Sequence, residues 1–228
     1  MKLNKFFIGL LFVVICSCGS SNESQHDIAI LVDNTEKDST RKDLLSPEGI
    51  LHLMKSSYGT VTFHAINATT LNKDEEISLS GGPSGETDFQ KKRRVDNFSK
   101  KLLELSNKYL GPAIGTDASN IYEPLCKSLN TLSESDADQK TLIVISDMIE
   151  NSPHGNFYKH DKSFEEIQKQ LDSTCKVHRP KNASDIRIII VFDPKGDVRM
   201  EAKHDYAMEI WDKIFKKMKV KYQVVTNL

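Results

Sequence analysis

Two aspartates stand where an apolar run stops: Asp33 after Asp27 to Val32 (DIAILV), and Asp147 after Thr141 to Ser146 (TLIVIS). Between them, Gly115 to Leu125 (GTDASNIYEPL) supplies hydroxyls and two further carboxylates, with Thr116 and Ser119 nearest the start of an apolar-periodic stretch. Carboxylates and hydroxyls are hard oxygen donors, the kind that suit Mg²⁺, and carboxylates also serve as acids and bases. Other chemistry is poorly supplied. No nucleophile and base stand at readable spacing. His154, His160, Cys175 and His178 lack the second pair a zinc site needs and read as scattered surface residues. Gly81 to Gly85 lacks the Gly-Lys-Ser/Thr ending of a phosphate loop. Lys91 to Arg94 opens a helix as a basic run with no interleaved aromatics, which reads as a solvated face.

The elements that must position the two acids alternate. Asp27–Val32 reads as a buried strand, Leu44–Lys55 as a helix, and Thr60–Ile66 as a strand. Asn67–Gln90 is polar, with at most a short strand near Ile77. A helix carries Phe98, Leu102, Leu105 and Tyr109 on one face and ends at Gly111-Pro112; Ile121–Leu132 is another. Thr141–Ser146 and Ile186–Phe192 are strands, Phe164–Leu171 and Tyr206–Met218 helices, and Tyr222–Val225 a last strand. Near-continuous apolar strands separated by helices predict an α/β fold: a doubly wound, mostly parallel sheet with helices on both faces, and the first strand in its middle. In such a sheet ligands sit beyond the carboxyl ends of the strands, where both aspartates fall.

The three stretches together resemble the von Willebrand factor A family and its metal-ion-dependent adhesion site. Its D-x-S-x-S motif appears as Asp33-Asn34-Thr35-Glu36-Lys37, its second motif as Ser119 ahead of Asn120-Ile121 and Leu125 with Thr116 as the fallback, and its third as Ser146-Asp147-Met148. The resemblance implies a non-enzymatic interaction domain over 27–228. It also implies Mg²⁺ or Mn²⁺ held by Asp33, Thr35, Ser119 and Asp147, with a protein partner completing the shell. Lys37 departs from the pattern: it stands in place of the second serine and has no acceptor to offer a cation. It would leave the site to water or act as an internal counter-ion in a metal-free, degenerate version of the site. The rival reading is a hydrolase resembling the haloacid dehalogenase phosphatases. That class needs an acid where Thr35 stands.

The chain opens with Lys2 and Lys5 and then Phe6–Ile15, ten uncharged residues spanning roughly 15 Å as a helix, too short for a bilayer core of about 30 Å. This predicts an export signal over 1–17. Ile15-Cys16-Ser17-Cys18 resembles the bacterial lipobox, which implies lipidation at Cys18, a tether over 18–26 and a place in the bacterial cell envelope. Of the remaining cysteines, Cys126 and Cys175 could pair in an oxidising compartment or stay separate. The 31 lysines and arginines almost balance 32 aspartates and glutamates, so no overall field favours nucleic acid or an acidic surface.

Overall fold

The computed structural model describes residues 24–35, 44–54, 58–66, 74–111, 118–153, 155–159, 162–174, 179–180 and 182–228. The expected export signal, Cys18, Lys37, Thr116, His154, His160, Cys175 and His178 lie outside the described residues, so the expectations that fall on them are not addressed by the fold.

Strand β1 (His26–Asp33) is followed by helix α1 (Pro47–Met54), strand β2 (Gly59–Ile66), strand β3 (Glu75–Leu79) and the long helix α2 (Asp88–Tyr109). Helix α3 (Tyr122–Glu134) leads into β4 (Gln139–Ile145), the two-residue strands β5 (Asn151–Ser152) and β6 (Gly155–Asn156), and helix α4 (Phe164–Thr174). Strand β7 (Ile186–Val191), helix α5 (Val198–Met218) and strand β8 (Lys221–Val225) complete the described elements. The six longer strands form one sheet in the order β3-β2-β1-β4-β7-β8. All pairings in it are parallel except β2 with β3. The first strand is interior, with β4 and β7 on one side of it, as the sequence predicts.

The apolar runs are uninterrupted because both faces of the central strands are covered. Along β1, Ile28, Ile30 and Val32 face a core built with α1 and α2, where Ile50, Met54, Phe98 and Leu102 are buried. Ala29 and Leu31 face the opposite core, built with α3, α4 and α5 around Leu125, Leu129, Ile167, Trp211 and Phe215. Each fully buried aliphatic or aromatic side chain contributes on the order of 1.5–3 kcal/mol. The two-layered burial of β1, β4 and β7 therefore fixes where their carboxyl ends point. Gly59 opens β2 because a Cβ there would fall 1.9 Å from the His26 carbonyl oxygen.

Three boundaries differ from the periodicity. Helix α2 starts before Lys91 because Thr87 and Gln90 form a reciprocal capping box, a signal independent of apolar spacing. Helix α5 starts eight residues before Tyr206, where the Asp197 carboxylate accepts from the amides of Arg199 and Met200. The β5–β6 hairpin is too short to leave a periodic signal. Among the described residues, no helix is long and apolar enough to cross a membrane. Cys126 is buried on α3 within the core.

Candidate functional site

The carboxyl ends of β1 and β4 and the approach to α3 meet at one buried carboxylate. Asp33, the last residue of β1, is 1% exposed. Its Oδ1 accepts from the Thr35 amide at 3.0 Å and the Thr35 hydroxyl at 2.6 Å. Its Oδ2 accepts from the Ser119 hydroxyl at 2.7 Å and the Ser146 hydroxyl at 2.9 Å. Four donors from three loops thus satisfy a charge whose burial would otherwise be costly. Of the four residues the sequence assigns to a cation, Asp33, Thr35 and Ser119 come together in this cluster. Asp147 sits beside it in the chain, following Ser146, and its Oδ1 accepts from the Ile149 amide at 2.9 Å.

Each short motif has a local structural role. Asp33 and Thr35 close an Asx-type turn, in which the side chain substitutes for a backbone acceptor. The Ser146 hydroxyl also accepts from the Met148 amide at 2.9 Å, supporting Met148 at φ 62°, an uncommon conformation for a residue with a side chain. Ser119 exchanges backbone hydrogen bonds with Asn151, 3.0 and 2.8 Å long, and so pins the approach to α3 against β5. Helix α5 braces the same turn from below. The Trp211 Nε1–H donates to the Met148 carbonyl at 2.8 Å, and His204 Nδ1 donates to the Asp147 carbonyl at 2.9 Å. The His204 ring stacks on Phe192 with centroids 4.1 Å apart, so its role here is structural.

A second acid, which the sequence reading does not single out, completes the arrangement. Glu150 is fully buried, and its Oε2 accepts from the amides of Ile121 and Tyr122, both at 2.8 Å. Those are amides at the start of α3, which lack partners within the helix and sit at the positive end of its dipole. The Ser152 hydroxyl donates to Oε1. Burial pushes the Glu150 carboxyl up to about 7; the Ser152 hydroxyl and the two amides oppose the rise, and the Asp33 carboxylate adds to it. Only its position just beyond an apolar strand end could have drawn attention to it, and that signal is weak.

Two side-chain oxygens at this end are buried without a hydrogen-bond partner, Oδ1 of Asn34 and Oδ1 of Asn120. Each neighbours a residue of the cluster, Asp33 or Ser119. Among the described residues, no three His, Cys, Asp or Glu side chains group as metal ligands.

With that geometry in hand, comparison with known proteins gives three results. No family model matches the chain, and no curated protein matches it. Solved structures do: the PilB minor pilin from Streptococcus sanguinis, at 14% identity and TM-score 0.52, and an aspartate-to-alanine mutant of that pilin, at 13% identity and TM-score 0.53. Each match covers 91% of this chain and 58% of the pilin, so the chain spans under two thirds of the protein it matches. At that identity the likeness shows the fold alone.

These findings correct the family resemblance. The structural neighbours are minor pilins, and no family model supports a von Willebrand factor A assignment. The adhesion-site function inferred with that assignment falls with it. The physical reason lies in the motifs themselves. Their aspartates and hydroxyls are short polar residues at strand ends, and here they are accounted for by turns and loop-to-loop hydrogen bonds.

Glu150 generates a pH prediction. Its folded pKa lies above the ordinary 4.5, so the folded state holds the proton more tightly than the unfolded chain does. This contribution to stability is full below about pH 4.5 and is lost as pH rises to about 7, at about 1.4 kcal/mol per unit. Glu150→Gln keeps an oxygen for both amides and removes the titration. Unfolding free energies measured from pH 5 to 8 should fall by on the order of 2–3 kcal/mol more in the wild type than in the variant. Parallel pH profiles would show that Glu150 titrates normally.

Proposed function

We propose that this chain is a non-catalytic assembly module of the bacterial cell envelope, one that receives a protein partner on the carboxyl-end loops of its sheet. The observation that carries the reading is the way those loops are built. Asp33 and Glu150 are spent on joining loops to one another, and the nearby His204 and Trp211 brace a turn. Rigid, pre-formed loops lower the ordering cost of association, which is what a docking surface needs. Tyr158 and Val198 stand exposed at this end, 46% and 73%, and Lys203 lies over the Tyr158 ring at 5.2 Å. Exposed aromatic residues are enriched at protein contact surfaces. The fold-level likeness to a minor pilin supports an assembly role, and an anchor at Cys18 would hold the module on the envelope.

A photo-crosslinking residue at Val198 or Tyr158 should yield a discrete crosslinked protein in intact cells, and one at Leu103, exposed on α2, should not. Equal yields from all three positions would contradict the assignment of this end.

The reading also keeps Asp33, Thr35, Ser119 and Asp147 as a seat for Mg²⁺ or Mn²⁺. Thr35 and Ser119 turn their hydroxyl protons onto Asp33, which leaves oxygen lone pairs to offer a cation. The two orphaned Asn oxygens are unsatisfied acceptors in the same loops. Calorimetric titration of Mg²⁺ or Mn²⁺ should show binding to the wild type, with Thr35→Val and Ser119→Ala each weakening it at least about tenfold. A titration without heat in the wild type, repeated with no thermal stabilisation, would remove the cation from the account.

A further inference from the structure

The opening turns of α2 carry features that neither the core nor the site explains. Phe89 is 75% exposed, and Lys91, Lys92 and Arg93 beside it are all exposed. The first buried side chain of the helix is Phe98. Positive charge near a helix start is opposed by the helix dipole, so helix stability does not call for it. Arg94 is accounted for: it pairs with Glu86 at 2.8 Å and donates to the Ser80 carbonyl. Lys91 adds to the positive field on Glu86. Lys92 and Arg93 make no ion pair among the described residues.

Topology places this turn. Strand β3 runs antiparallel to β2, with Leu79 opposite Gly59, so the segment 80–87 and the start of α2 lie at the amino ends of the parallel strands. The chain enters β1 at that same end, at His26. Helix α5 finishes there and β8 begins there, with the exposed Lys219 and Lys221, and the turn from α3 into β4 lies there too, with the exposed Glu134, Asp136 and Asp138. The acids of the α2 turn are Glu86, already paired with Arg94, and Asp88. The candidate site lies at the opposite end of the sheet.

We propose that Phe89, Lys92 and Arg93, which share one face of α2 at i, i+3 and i+4, form a peripheral contact with the anionic headgroups of a phospholipid bilayer. The aromatic ring seats in the interface and the two cations lie on the phosphates, the combination that holds basic, aromatic-bearing surfaces on anionic membranes. Geometry agrees. The eight residue steps from Cys18 to His26 reach at most about 28 Å when fully extended, so an anchor at Cys18 keeps this end within reach of a bilayer. The contact itself does not depend on that anchor, because charge and the exposed ring act on any anionic surface. It turns the sheet's carboxyl end away from the membrane.

The test uses the full chain carrying Phe89→Trp, reconstituted in vesicles of phosphatidylcholine alone or of phosphatidylcholine with an equal part of phosphatidylglycerol. Flotation with each kind of vesicle is recorded alongside the spectra, so that contact of this turn is read separately from recruitment. Trp211 is fully buried and supplies a constant background. The introduced indole should shift to the blue and be quenched several-fold by brominated lipid only in the phosphatidylglycerol vesicles. At about 1 M salt, where the screening length is about 3 Å, the effect should vanish. Lys92→Glu with Arg93→Glu should abolish it, and the milder Lys92→Gln with Arg93→Gln should reduce it. Equal quenching in both vesicles, quenching that survives charge reversal, or no quenching in either would overturn the proposal. The last result is what an acidic protein partner for this surface would give.

Discussion

One carboxylate at the end of the central strand is the constraint on which this end of the molecule depends. Asp33 is carried into the interior by β1, whose two faces are both buried, so it cannot reach water. It therefore has to be satisfied by donors from the protein, and four of them come from its own turn, from the approach to α3 and from the end of β4. Hydrogen bonds to a charged group contribute about 1.5–3 kcal/mol each, and losing the hub would strand several at once. Burial of the strand and order in the loops are thus one requirement seen from two sides.

Glu150 extends the same logic one layer outward. It gives the amides at the start of α3 a buried acceptor and, through Ser152, reaches the β5–β6 hairpin. Two buried carboxylates so near one another repel, and the repulsion falls on the one already pushed up by burial. Asp33 is held by three hydroxyls and an amide; Glu150 is held by the helix end. The hydroxyl that links Ser119 to Asp33 and the backbone pairing of Ser119 with Asn151 join the two systems.

The sheet was legible because its signal is simple. DIAILV, TLIVIS and IRIIIV are apolar on both alternating faces, which only a strand between two helical layers requires, and their order in the chain gives the interior position of β1. The beginnings of α2 and α5 were not legible in apolar spacing, because both are set by polar caps, Thr87 with Gln90 and Asp197. Asp33, Thr35 and Ser119 could be picked out as strand-end and helix-start residues, and they do converge. Their family could not be read from them, since an Asx turn and a hydroxyl-to-carboxylate bridge leave the same short pattern whatever the fold's history. Glu150 escaped because its burial follows from the path of a loop, and a loop path leaves no periodic trace.

The claim that Asp33 ties three loops into one unit is open to a direct measurement: residue-resolved amide hydrogen exchange in the wild type and in Asp33→Ala. The account predicts that residues 34–35, 118–121 and 146–149 lose protection together, by at least about tenfold, while the amides of β7 and of α2 from Phe98 to Tyr109 keep theirs. Loss confined to residues 34–35, with the other two segments unchanged, would show that the loops stand independently and would contradict it.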